Sequence, residues 1–170
     1  MKRWWTTVGA LLAALVLQVM LAPHMAIAGV VPNLLLLVVI TLAFVEGPRA
    51  GAVSGFAAGL LLDLLSSTPV GAWALVLTAT GYVSGMLQEN LFAAGWLAPV
   101  AVAAIAGLVA ETFYLLVLAV LGDGPAFWAS LASVVLPRAL YNTVLVTLAY
   151  PWLARFLRTD RSMKSFRRVA

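Results

Sequence analysis

Long apolar runs broken by short polar turns set the reading of this chain. The first uncharged run, Trp4 to Leu21, follows Lys2 and Arg3. Pro32-Asn33 opens a second, Leu34 to Val45, and Glu46-Gly47-Pro48-Arg49 closes it with a tight polar turn. A third run reaches about Leu65 before Ser66-Ser67-Thr68-Pro69, and a fourth, Val70 to Leu87, ends at Gln88-Glu89-Asn90. Leu91 to Gly95 reads as an interfacial link to a fifth run, Trp96 to Leu121, which stops at the turn signal Gly122-Asp123-Gly124-Pro125. The last, Phe127 to Leu153, is interrupted by Pro137 and leads into a basic tail. Runs of this kind fit bilayer-spanning helices. The pattern predicts an all-α integral membrane protein, a bundle of six transmembrane helices over about 4–22, 30–46, 49–65, 70–87, 96–121 and 127–153. These form one domain over residues 1–154, with a tail over 155–170. The first run, at about 18 residues, exceeds the apolar core of a signal peptide. It is therefore read as a retained helix despite the small-x-small triplet Ala26-Ile27-Ala28.

Composition agrees: 64% of residues are hydrophobic and 9% charged, with mean hydropathy +1.08, which excludes an ordinary soluble domain. The chain has no cysteine and a single histidine, His24, so no thiolate or His-ligated metal site can be assembled and no cofactor is implied. No phosphate-binding loop, zinc-protease helix or nucleophile elbow is present, and no nucleophile stands beside a base, which argues against an enzyme. The net charge of +4 is gathered at the ends of apolar runs, where anionic lipid rather than nucleic acid is the partner.

The basic residues also give orientation. Lys2, Arg3, Arg49 and the six tail cations Arg155, Arg158, Arg161, Lys164, Arg167 and Arg168 fall on one side of a six-span chain, while the opposite turns carry none. This asymmetry predicts cytoplasmic N and C termini in a multi-pass protein. The tail cations are candidates for contact with anionic headgroups.

One helix reads as the central packing element. Glycines stand at Gly47, Gly51, Gly55 and Gly59, and Asp63 takes the next step of four. Small residues at this spacing let helix backbones approach closely in lipid. Because a step of four drifts by about 40°, the row is expected to serve a crossing helix or two neighbours in turn. The motif Gly51-Ala-Val-Ser-Gly55 recurs as Gly81-Tyr-Val-Ser-Gly85. This suggests two close-packing faces at one depth, with Ser54 and Ser84 available for bonds between helices.

Arg138 and Glu111 lie well inside their runs, where a charge costs roughly 3 kcal/mol. Counted from the turn at residues 122–125, both lie roughly 16–20 Å deep, whereas Asp63 is roughly 7 Å below its own turn. Glu111 is thus the better-matched partner of Arg138, and Asp63 is reachable only if Arg138 extends outward. Pro137 frees the Ser133 carbonyl and predicts a kink. Tyr141 and Asn142 lie close to the same side, completing a candidate polar cluster of Asp63, Glu111, Arg138, Tyr141 and Asn142. It serves either to fix helix register or to receive a ligand or partner. Gln18 is expected to face other helices, and His24 to lie in a loop.

With these residues collected, the chain resembles the rod shape-determining MreD family of bacteria. The similarity rests on the six-run layout, Pro32-Asn33-Leu34, Gly51…Gly55-Phe56…Gly59…Asp63, Gly71, Gly81-Tyr82 and Tyr141-Asn142. The resemblance implies a non-enzymatic scaffold of the cell-elongation machinery in the bacterial cytoplasmic membrane. Its partners would be the bitopic protein MreC, the actin-like MreB and a peptidoglycan polymerase–transpeptidase pair. The family is also similar in fold to the substrate-binding components of energy-coupling-factor vitamin transporters. The rival reading is accordingly a small-molecule-binding transporter subunit, for which Ala10-x-x-x-Ala14 is the matching face. The short outer turns, poor in ligand-binding groups, argue against it.

Overall fold

The computed structural model describes residues 2–27, 29–66, 69–91, 97–122 and 127–165. Among them the chain is helical, with one isolated bridge between Ile27 and Val30 and no strand. Helix α1 (Lys2–Met20) is followed by a 3-10 turn (Ala22–Met25), then α2 (Leu34–Glu46), α3 (Pro48–Leu65), α4 (Ala72–Leu91) and α5 (Leu97–Leu121). The last rod is composite: α6 (Phe127–Ser130), a π-helical turn (Leu131–Val135) and α7 (Leu136–Ser165). Three helical stretches are long and apolar enough to cross a membrane, Pro48–Leu65, Val100–Leu121 and Phe127–Ala149. Shorter apolar stretches occur at Trp5–Met20, Leu34–Glu46 and Ala72–Leu87.

The centre is α2, not the glycine helix. Every residue from Leu35 to Val45 is buried, and α1, α3, α4, α5 and α7 all pack on it. A helix that is apolar all round has no face to give to its surroundings and ends up enclosed. α3 instead leaves Val53, Phe56, Leu64 and Leu65 exposed. Helix extents also differ from the pattern-based ones, and the last helix runs on to Ser165 rather than stopping near 153. Residues 30–33 precede α2 rather than belong to it, because Asn33 caps the helix by accepting from the Leu36 N–H at 3.0 Å. Gln88-Glu89-Asn90 does not end α4, which runs on to Leu91.

The glycine row lies against α4 along its whole length. A Cβ on Gly51 would meet the backbone of Gly81, one on Gly55 the Leu77 carbonyl, and one on Gly59 the backbone of Trp73 and Ala74. A Cβ on Gly85 would stand 2.5 Å from the Pro48 Cα, beside Gly47. Position numbers rise on one helix as they fall on the other, which is an antiparallel register. Of the two arrangements open to a drifting row, a crossing helix or two neighbours in turn, the structure has the row on one helix. Rows of i±4 residues incline about 26° to the helix axis, and a neighbour that leans across follows the row instead of leaving it. Gly51 also abuts the Ala43 side chain of α2, 2.7 Å from its would-be Cβ. The serines do not bridge the helices. Ser54 Oγ donates to the Gly51 carbonyl of its own helix at 3.1 Å, and Ser84 Oγ is buried with no hydrogen-bond partner among the described residues.

Two backbone details set this geometry up. Gly47 has φ +93°, ends α2 and begins α3, with Pro48 in the first helical position. That conformation is open to glycine at little cost. Before Pro137 the chain widens into the π-helical turn, which relieves the clash between a proline ring and the carbonyl four residues back.

Candidate functional site: a buried polar network at the start of α2

At 13 residues, α2 is about 20 Å long, shorter than a hydrocarbon core of about 30 Å. The first N–H groups of a helix have no partner within it, and within lipid no water supplies one. Side chains from distant parts of the sequence do so. Gln18 Oε1 accepts from the Leu34 N–H at 2.6 Å, while its Nε2 donates to the Pro32 carbonyl at 3.0 Å. Asn142 Oδ1 accepts from the Asn33 N–H at 2.9 Å. Helices α1 and α7 are thereby stitched to the entrance of α2.

Next to this cap lies the ion pair. Arg138 Nη1 donates to Glu111 Oε2 at 3.1 Å, joining α7 to α5. The Glu111 side chain is 2% exposed and that of Arg138 24%, so the carboxylate is enclosed while the guanidinium reaches toward the surface. Tyr141 Oη donates to the Met25 carbonyl at 2.9 Å, fastening the 3-10 turn after α1. Glu111 Oε1, Arg138 Nε and Asn142 Nδ2 are buried without a hydrogen-bond partner among the described residues. The network thus retains one acceptor and two donors for a further polar group.

Asp63 is not part of this cluster. It is 1% exposed and turned to the start of α4, where Oδ2 accepts from the N–H groups of Gly71 at 2.9 Å and Ala74 at 3.0 Å, and Oδ1 from Trp73 at 3.0 Å. A carboxylate at a helix N-terminus is stabilised both by those donors and by the helix dipole. Backbone satisfaction, rather than an opposite charge, is what permits its burial. Trp73 in turn stacks on Tyr114 of α5, with ring centroids 3.9 Å apart and planes 16° from parallel.

Sequence reasoning grouped Glu111, Arg138, Tyr141 and Asn142, which the structure brings together, with Asp63, which it does not. It missed Asn33 and the capping role of Gln18. The signal for Asn33 was present, since Asn directly before an apolar run is a helix-start residue. His24 lies in the 3-10 turn, its Nδ1 2.9 Å from the Met20 carbonyl. Of the tail cations, Arg155 is exposed on α7. Arg158, Arg161 and Lys164 continue that helix, while Arg167 and Arg168 lie outside the described residues. No cluster of three or more metal-ligating side chains occurs among the described residues.

These features define a membrane protein of closely packed apolar helices with a capped, charge-balanced interior. The family model of the rod shape-determining protein MreD matches residues 1–159. The chain belongs to that family and has a role in rod-shape determination. No curated protein and no solved structure matches it.

Proposed function

We propose that this protein is a non-enzymatic scaffold of the cell-elongation machinery. It is a six-span bundle of the bacterial cytoplasmic membrane with both termini inside, in an arrangement like that of energy-coupling-factor substrate-binding components. Its partners are an MreC-type bitopic protein, MreB and a peptidoglycan polymerase–transpeptidase pair, and its tail cations rest on anionic lipid. Family membership supports the cell-shape role, and the one-sided distribution of Lys and Arg supports the topology. The observation that carries the scaffold reading is the network at the start of α2, which ties α1, α2, α5 and α7 together through side chains. Family membership gives the transporter reading no support.

The Glu111–Arg138 pair supplies the test. Removing one partner of a buried pair leaves an uncompensated charge and costs about 3–5 kcal/mol, whereas replacing both is close to neutral. Glu111→Gln and Arg138→Gln should each lower membrane abundance more than the double variant does. If the double variant restores abundance but cells still round up, the pair belongs to a partner-binding site. If it restores both, the pair fixes helix register. Strictly additive single effects would refute the pairing.

A further inference from the structure

We propose that the groove between α1 and α3 is a binding site for one anionic phospholipid, with its phosphate held by Arg49. The groove holds about 380 Å³ and runs from the turn between α2 and α3 along Val8 and Leu11 on one wall and Val53 and Ala57 on the other. Val8 and Val53 are 39% and 56% exposed, so the apolar length is open from the side along which lipid lies. Its mouth is polar and carries both Glu46 and Arg49.

The two charges are not equivalent. Thr7 Oγ1 reaches the Glu46 carboxylate, 3.4 Å away, drawing it against α1. Arg49 is exposed at the start of α3, and no hydrogen bond or ion pair engages it among the described residues. An apolar channel with an uncommitted guanidinium at its end matches an acyl chain below a phosphate. Arginine suits phosphate through its paired donors. Arg49 also lies on the side of the membrane that collects Lys2, Arg3 and the tail, where a negative leaflet surface would raise the local concentration of such lipids. Sidedness belongs to the proposed topology, whereas the groove and its cation do not depend on it.

Native mass spectrometry of the full chain in neutral detergent tests this, with phosphatidylglycerol, phosphatidylcholine and phosphatidylethanolamine of identical acyl chains. Phosphatidylglycerol should bind in preference to phosphatidylcholine. Arg49→Gln should weaken it about fivefold, the effect of one cation beside an anionic headgroup, and Arg49→Lys should keep most of the binding. Val53→Trp, which fills the groove at an exposed position, should remove the adduct while Arg49 is intact. Arg155→Gln should leave it unchanged. Equal binding of phosphatidylcholine, an unaltered Arg49→Gln adduct or an unaltered Val53→Trp adduct would overturn the proposal. A preference for phosphatidylethanolamine would overturn it too, by showing that Glu46 governs the mouth. Because binding in detergent is blind to orientation, a failed topology would leave this result standing.

Discussion

Adding a single methyl group at Gly55 tests the packing of α3 on α4. In Gly55→Ala the new Cβ would stand 2.6 Å from the Leu77 carbonyl carbon and 3.0 Å from the Thr78 nitrogen, and closer still to the Leu77 carbonyl oxygen. Ordinary contact begins at 3.4 Å, and every atom it meets is backbone, which cannot swing aside. The two helices must therefore part by more than the roughly 0.8 Å that the carbonyl carbon alone would require, and a gap of 0.5–1 Å already forfeits about a quarter to a half of each contact's attraction. Overpacking of this kind typically costs about 1–3 kcal/mol, and the absence of any flexible neighbour places Gly55→Ala toward the upper end. Gly107→Ala is the matched control, because its nearest neighbour is the Leu36 side chain at 4.0 Å. It should be neutral or slightly stabilising, since alanine is the better helix former by about 1 kcal/mol. Thermal unfolding of the purified protein in detergent measures both. Gly51→Ala combined with Gly55→Ala should cost less than the sum of the two, since helices already separated by one methyl accept the second more easily. A stable Gly55→Ala variant, or strict additivity, would refute the close register.

Three further outcomes follow from the same geometry and charge pattern. Reporters active only outside the cytoplasm should give signal when fused after Thr68 or Asp123 and none after Glu89 or Ala170; signal at Glu89 would end the six-span topology. Asp63→Ala strands the N–H groups of Gly71, Trp73 and Ala74 and should cost on the order of 3 kcal/mol, with Asp63→Asn milder because one acceptor oxygen survives. The comparison is read from thermal stability in detergent, and an Ala variant as stable as the wild type would discount the cap. Gln18→Leu abandons the Leu34 N–H and the Pro32 carbonyl and should lower the unfolding temperature by an amount matching about 2 kcal/mol; Gln18→Glu, which retains the acceptor for Leu34, should fall between.

Depth along the helices was legible in the sequence, and direction around them was not. Counting residues from a shared turn matched Glu111 with Arg138, because helical rise is nearly constant whatever the packing. Which helix would be central could not be counted. In a soluble protein the all-apolar stretch Leu34–Val45 would announce itself as core, but here every helix is apolar and the contrast is lost. The glycine spacing marks a face for close approach, but which neighbour it meets depends on how the helices cross, which no spacing encodes. Asp63 was misplaced for a related reason. A buried carboxylate suggests an ion pair, but three backbone donors satisfy it as well, and the loop that delivers them bends at Gly71, where φ is +104°.

Asp63 and the cap of α2 share a physical origin that narrows the functional question. α2 and α4 both begin at the end of the bundle opposite the Gly47 turn, and both draw acceptors for their first N–H groups from other elements. Asn142 serves the Asn33 N–H, Gln18 the Leu34 N–H, and Tyr141 the Met25 carbonyl, each bond ending on a backbone group. Rotating any of them away leaves a bare peptide group in apolar surroundings, at a cost of several kcal/mol. Their freedom to answer a binding partner is correspondingly small. The Glu111–Arg138 contact is instead made between two side chains. It leaves Glu111 Oε1 and Arg138 Nε unengaged, and its guanidinium reaches the surface. A polar group from a partner could therefore insert beside the pair without uncapping a helix. That is why a loss of cell elongation with abundance retained is the informative outcome at Glu111 and Arg138, whereas at Asp63, Gln18 or Asn142 a loss of function should track a loss of folded protein.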